Sequence, residues 1–504
     1  MSKHSDDLID DSEKKDEIIN IPKEVTTNTE EKKKAELIFK PEVITDANEK
    51  KLIKKIDLRI IPLIVVVNIL SFLDRVNIGN AKLAHLEHDL NLVGNEYNWA
   101  LSIFFLGYIL FEVPTNIISI KIKPSIWIST RMISWGSIVI AMAFVKNYSQ
   151  LMATRFFLGT FQTGLYSGVI FYITKWYKRS ERSYRISYFN AGIIISGAFN
   201  GLIAFSISSL NGKFGFNGWQ WIFLIEGAIT VIIAFFCYFL ISDYPEITIW
   251  LTDDERKLAV DRLRIDTGHA YATPFDKHQI TSAFKDFKVY VFTLIYFCVV
   301  AAIYAFTFFI PSIVNGMGFD DVISQLLSTP PFILGCISSI IITKISDNHK
   351  IRSPYLISGL LISIIGYSFL IVHGTSVALK YTCICVIGLG LFVSFPLIVA
   401  WAADNLAGET KRAVGFAIVN GGGNLGGILS AQIYKYSDAP AYISGHIVTV
   451  SLLIICVVLS IIQYCYLNRM NRYKLEDPKR FLKGSNADDA THLGDLHPSF
   501  TYIL

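Results

Sequence analysis

Ionisable side chains set within long apolar stretches mark where chemistry is concentrated in this sequence, because a charge at membrane depth is costly and usually faces a cavity or a partner. The first such place is Asp74-Arg75, followed by Asn77, in the stretch from Leu73 to Asn80. Adjacent helical positions diverge by about 100°, so the carboxylate and the guanidinium cannot both face one point. Arg75 suits attraction of an anion, and Asp74 suits exchange of a proton or restraint of Arg75. A structural ion pair at an interface would account for the same residues. The second place is Arg155, which forms one helical stripe with Gly159, Gln162 and Tyr166 at spacings of three and four. The stripe offers a guanidinium, room for backbone approach, an amide and a phenol, a wall suited to a carboxylate-bearing ligand. The alternative is an arginine snorkelling to the interface over an ordinary helix seam.

Glu112 and Glu226 are further acids in apolar stretches, better suited to gating or fold support than to ligand contact. Tyr304 and Phe308 lie one turn apart, as do Asn420 and Asn424, and together they could line a pocket with aromatic faces and amides. The glycines at 421, 422, 423, 426 and 427 demand close packing there, so the two asparagines could equally bridge helices. His85 and His88 read as a solvated loop. Cys383 and Cys385 lack His or acid neighbours, so no metal is expected. No phosphate cradle and no nucleophile paired with a base appear, which points away from an enzyme and from any cofactor.

The elements that must hold these residues are apolar runs of about 20 residues, the length that crosses a ~30 Å hydrocarbon core. They recur near 56–78, 99–118, 126–145, 151–172, 186–208 and 219–241, and again near 289–313, 323–345, 351–372, 379–403, 414–434 and 443–467. A mean hydropathy of +0.43 with 17% charged residues excludes a soluble chain of 504 residues. The expected fold is an all-α membrane protein of twelve transmembrane helices in two six-helix bundles. The net charge of +4 is spread between the runs and in the tails, so no nucleic-acid partner is expected. All seven cysteines fall in apolar runs, as small buried hydrophobes.

Residues 1–55 read as a disordered tail, 56–242 and 289–467 as the two bundles, 243–288 as a linker and 468–504 as a second tail. Within the linker, Thr252-Asp253-Asp254-Glu255 is a capping-box pattern for a short charged helix. Lys121, Lys123, Lys175, Lys178, Arg179, Arg182, Arg185, Lys344, Lys350, Arg352, Lys411 and Arg412 fall in alternate connections, and solitary lysines in the others. Positive residues are retained on the cytosolic side, which puts both termini there.

These residues resemble the anion:cation symporter branch of the major facilitator superfamily, especially its fungal allantoate and nicotinate permease group. The resemblance spans the membrane region and rests on Phe72 to Ala81, Phe111 to Asn116, Arg155 with Gly159, and Trp219 to Gly227. Ser328-Thr329-Pro330-Pro331, Ser346-Asp347 with Arg352, Ala400-Trp401 with Asn405, and Lys411-Arg412 extend it. It implies two bundles rocking around a central cavity, uptake of a small organic anion such as a vitamin-like carboxylate, and coupling to protons. From the residues themselves, substrate contact is expected of Arg75, Arg155, Gln162, Tyr166, Tyr304, Phe308, Asn420 and Asn424, proton coupling of Asp74, and gating or structural roles of Glu112, Glu226, Asp347 and Arg352. In related transporters such as sialin, a Glu two turns after the span-four Arg handles the proton. Here that position is Gln162, which cannot titrate, so either Asp74 carries the coupling alone or transport is facilitated diffusion. The expected setting is a monomer in the lipid bilayer of the plasma membrane, and the alternative is a nutrient sensor on a transporter fold. A cysteine introduced within 243–288 is expected to resist an impermeant maleimide added outside intact cells, and its labelling would reverse the topology.

Overall fold

The computed structural model describes residues 46–119, 122–267, 277–372, 376–407, 409–477, 495 and 500–504. Most of both expected tails, and Lys121, lie outside the described residues. The chain divides into two compact units, Met1–Lys50 and Lys51–Leu504. Of the first, residues 46–50 are described and are helical.

In the first half of the membrane region run α1 (Asp46–Val76), α2 (Glu96–Ser119), α3 (Pro124–Met142), α4 (Tyr148–Gln162), α5 (Leu165–Trp176), α6 (Arg179–Ser208) and α7 (Gly218–Leu240). Two linker helices follow, α8 (Asp253–Thr267) and α9 (Lys277–Lys285). The second half holds α10 (Phe287–Asn315), α11 (Asp321–Leu327), α12 (Thr329–His349), α13 (Ser353–Ile371), α14 (Val377–Asp404), α15 (Glu409–Ile433) and α16 (Ile443–Glu476). Each predicted span coincides with one helix or with a consecutive pair, α4 with α5 and α11 with α12. Among the described residues, ten stretches are long and apolar enough to cross a membrane. The remaining two spans, α2 and α15, carry polar residues that face the opposite half, including Ser102 and Gln432, whose side chains bond each other at 2.8 Å. The outward apolar side chains, such as Phe235, Phe236 and Phe239 on α7 and Ile340 and Ile341 on α12, form the lipid-facing belt.

Two boundaries differ from the sequence expectation. Residues 46–55, assigned to the tail although their helix formers also suited them to extend the first membrane helix, begin α1, and α16 continues to Glu476, past the expected span end at 467. Lys and Glu are good helix formers, and a membrane helix supplies the nucleus they extend. The linker pattern is realised as a cap: Thr252 N–H donates to Glu255 Oε2 at 3.0 Å and Glu255 N–H to Thr252 Oγ1 at 3.3 Å. Helix α8 is tied to the first half by Arg262, which reaches Glu181 at 3.2 Å and the Trp176 carbonyl at 2.7 Å.

Within the first half, α3 packs on α7 and α2 on α4; within the second, α10 packs on α15, and α14 on α12 and α13. Small residues allow these approaches. A Cβ at Gly159 would lie 2.0 Å from the Phe104 carbonyl oxygen, and one at Gly107 would lie 2.4 Å from that of Phe156, so α2 and α4 touch backbone to backbone. The halves meet mainly near the face remote from the described termini. There Asn98 donates to the Tyr434 carbonyl at 2.8 Å, Thr329 to the Ala198 carbonyl at 3.2 Å, and Gly79 abuts the Phe308 backbone.

At the other face, Asp286 caps α10 and pairs with the ammonium groups of Lys288 and of Lys411, the latter at 2.7 Å. Burial would raise the Asp286 carboxyl, but these two charges outweigh it and hold it below the usual carboxylate value. Gly159→Val is expected to force α2 from α4 and lower stability by about 1–3 kcal/mol. Thermal unfolding of the detergent-purified protein measures this.

Candidate functional site

A cavity of about 540 Å³, open solvent included, lies between the halves. Helix α1 contributes Asn68, Ser71, Phe72 and Arg75, and α2 contributes Tyr108. Gln162, Leu165 and Tyr166 come from either side of the α4–α5 junction, and Ile193 from α6. The second half supplies Tyr296, Val300 and Tyr304 of α10, Phe395 of α14, and Asn420 and Asn424 of α15. Of the eight residues expected to contact substrate, Arg75, Gln162, Tyr166, Tyr304, Asn420 and Asn424 are brought to this one wall, while Arg155 and Phe308 are not.

Arg75 is the cation of the cavity. Its Nη1 donates to the Tyr304 hydroxyl at 2.5 Å and its Nε to Gln162 Oε1 at 3.3 Å. The guanidinium sits 5.0 Å from the Phe104 ring centroid and 5.2 Å from that of Tyr108, within cation–π range. No carboxylate pairs with it among the described residues, and none lines the cavity. Gln162 holds its amide by donating to the Ser71 carbonyl at 3.0 Å, which leaves its oxygen turned to Arg75.

The stripe read along one continuous helix is interrupted. Thr163 is extended and Gly164 has φ of 76°, so α4 ends at Gln162 and α5 begins at Leu165. A Cβ at Gly164 would lie 2.3 Å from Thr115 Cγ2, so the break needs glycine for space as well as for backbone sign. Carbonyls freed inside a membrane need new partners. Arg131 of α3 supplies them, its Nη2 donating to the Thr160 carbonyl at 2.8 Å and to that of Thr163 at 2.7 Å. Sequence reasoning missed Arg131 because an arginine in a span announces a partner without saying which. It also missed Asn68, Ser71, Tyr108, Tyr296 and Phe395, which are ordinary residues until the halves close on them.

Arg155 is wholly buried behind the wall. Its Nε donates to the Ala100 carbonyl at 3.4 Å, and both Nη groups reach the Arg75 carbonyl at 3.3–3.4 Å. It therefore braces the backbone beneath Arg75. Phe308 is likewise packed, with its ring stacked 5.5 Å from that of Tyr304.

Asp74 turns away from Arg75 into the first half. Its Oδ2 accepts from Trp135 Nε1 at 3.1 Å and from Thr230 Oγ1 at 2.8 Å, and its Oδ1 has no partner among the described residues. Glu226, one turn before Thr230, accepts from Asn77 Nδ2 at 2.9 Å and likewise keeps one oxygen without a partner. Glu112 bridges the halves by accepting from Asn420 Nδ2 at 2.8 Å. Arg352 contacts Asp347 and reaches Asp404 at 3.1 Å, joining the ends of α12, α13 and α14.

The model of the Major Facilitator Superfamily matches residues 64–431. An uncharacterized transporter of Schizosaccharomyces pombe is 34% identical over 90% of each chain. The high-affinity nicotinic acid transporter of Saccharomyces cerevisiae is 29% identical over 90% of this chain and 85% of its own. Among solved structures, a bacterial homolog of the human lysosomal transporter Spinster, inward-facing and unoccupied, superposes with a TM-score of 0.65 at 14% identity, covering 80% of this chain and 96% of that one. Arg155→Lys cannot span both carbonyls with one ammonium. It is expected to cost about 1–3 kcal/mol of stability, read as a lower unfolding midpoint.

Proposed function

The chain belongs to the Major Facilitator Superfamily and is a multi-pass membrane transporter; from that premise we propose that its substrate is a small organic anion, moved by alternating access with proton coupling. The observation that carries the reading is Arg75, a guanidinium in the cavity whose described partners are a phenol, an amide oxygen and aromatic faces. Such a group has electrostatic and hydrogen-bonding capacity left for one carboxylate. A single cation favours a monoanion, and the rings of Phe72, Tyr108, Tyr166, Tyr296, Tyr304 and Phe395 favour a flat or apolar body behind the carboxylate. A vitamin-like monocarboxylate meets both demands, and the nicotinic acid transporter among the relatives supports that class.

The cross-half contacts near Asn98, Thr329 and Gly79 close the face remote from the described termini. Alternating access requires them to part while the opposite ends approach. The bond between Glu112 and Asn420 is the contact through which a substrate at Asn420 would be felt by the first half. We assign the proton to Asp74, because it is buried with an oxygen free to carry hydrogen and lies one residue from the anion site. The distribution of lysine and arginine supports cytosolic termini and, for nutrient uptake, a plasma-membrane location.

Uptake of a radiolabelled carboxylate panel in a permease-deficient fungal strain tests this reading. Concentrative, protonophore-sensitive uptake of a monocarboxylate is expected in the wild type. Arg75→Lys is expected to raise the half-saturating concentration by roughly tenfold or more, the loss of about 1.5–3 kcal/mol for a charge-assisted bond. Asp74→Asn is expected to abolish accumulation while exchange across equal concentrations persists in part. Uptake confined to neutral or cationic solutes would overturn the anion assignment.

A further inference from the structure

We infer that the ends of the second-half helices form a built groove for an extended peptide, and that residues 500–504 of this chain occupy it as a tethered, exchangeable ligand. Two asparagines read the main chain of successive residues. Tyr502 N–H donates to Asn471 Oδ1 at 2.8 Å, and Asn471 Nδ2 donates back to the Tyr502 carbonyl at 2.9 Å. Asn405 does the same for Ile503, both bonds at 2.9 Å, and Trp401 Nε1 adds a third at 2.9 Å to the Ile503 carbonyl. Each amide side chain thereby stands in for a neighbouring strand, the device by which peptide grooves gain affinity without depending on side-chain sequence. The Leu504 main-chain oxygen accepts from Arg352 N–H at 2.5 Å and Ser353 N–H at 3.4 Å, amides left open where α13 begins. Lys474 Nζ donates to the Phe500 carbonyl at 2.7 Å and covers the Tyr502 ring at 4.1 Å.

These receptor groups are themselves interior. With the segment in place Asn405 and Trp401 are fully buried and Lys474 is 4% exposed, so its departure would remove bonds that these polar groups make under its cover. The peptide contributes one buried anchor, Tyr502 at 3% exposure, while Thr501 is exposed and Ile503 and Leu504 are half-buried. Attachment combines these main-chain bonds with the burial of Tyr502 in the apolar core, against which Phe500 and Leu504 pack at its edge.

Docking also reaches the transport path. Tyr502 O–H donates to Asp495, whose carboxylate contacts Lys288 and lies 2.7 Å from Lys411. Lys288 stands at the start of α10 and Lys411 at the start of α15, the helices that present Tyr296, Tyr304, Asn420 and Asn424 to the cavity. Among the described residues every contact of 500–504 lies within the second half, so the docked segment reinforces, through Asp495, the junction of α10 and α15 that Asp286 also makes, and leaves the two halves free to rock. Its release is a route by which events at the tail alter turnover. The inference does not depend on which anion is carried.

The test places a reporter in the full chain, Ile503→Cys, and follows its labelling by a maleimide in detergent-purified protein, against the parent that holds the native cysteines. Slow labelling is expected. A synthetic Phe-Thr-Tyr-Ile-Leu peptide added in excess should accelerate labelling by roughly tenfold or more as it displaces the tethered copy. The same peptide N-methylated at its Tyr and Ile amides should not, since it lacks the donors that Asn471 and Asn405 read. Asn405→Ala with Asn471→Ala should accelerate labelling without peptide. Fast labelling in the unaltered background, or a rate that responds to neither peptide nor variants, would overturn the inference. Acceleration by the variants but not by the peptide would make the segment an integral element of the fold and would overturn it equally.

Discussion

Asp74 and Arg75 are adjacent on α1, and the helix sends them about 100° apart. The carboxylate is buried against Trp135 of α3 and Thr230 of α7, while the guanidinium faces the cavity and Tyr304 of α10. That divergence keeps the two charges from neutralising each other. It leaves a guanidinium facing the cavity with no carboxylate partner among the described residues, and an acid buried away from it. The surrounding packing maintains the separation: Arg155 grips the Arg75 carbonyl and Gln162 the Ser71 carbonyl, fixing the turn from both sides.

The same region shows how a membrane protein tolerates irregular backbone. The break at Gly164 puts Gln162 and Tyr166 on the cavity wall from two helices rather than one, and the cost of the exposed carbonyls is met by Arg131. Close approach of α2 to α4 at Gly107 and Gly159 then brings Phe104 and Tyr108 over Arg75. An arginine that looks like a ligand site in sequence, as Arg155 does, can thus brace backbone in the way Arg131 also does, because a guanidinium offers several donors to carbonyls.

Residues that carry the family resemblance at the terminal end, Arg352, Trp401, Asn405 and Lys411, converge on one small region and hold the last residues of the chain. Their roles are linked: Arg352 joins α12, α13 and α14 through Asp347 and Asp404, and its backbone amide receives Leu504. The segment expected as a tail contributes structure because its main chain supplies donors and acceptors that the helix ends leave unmet.

The sequence by itself determined the class, the number and order of spans, the capping box at Thr252 and six of the residues on the cavity wall. Apolar length and the cost of buried charge are local properties that any single stretch displays. It did not determine which way Arg155 points, that α4 stops at Gln162, or that Tyr108, Tyr296 and Phe395 meet across the cavity. Those depend on carbonyls, glycines and rings brought together from distant parts of the chain. Helical spacing ranks Arg155 with Gln162 on one face, yet only the closeness of α1 and α2 makes the Ala100 and Arg75 carbonyls its partners. The grip on residues 500–504 was equally hidden, since recognition there is of main-chain groups, which every residue type shares and which only tertiary structure can position.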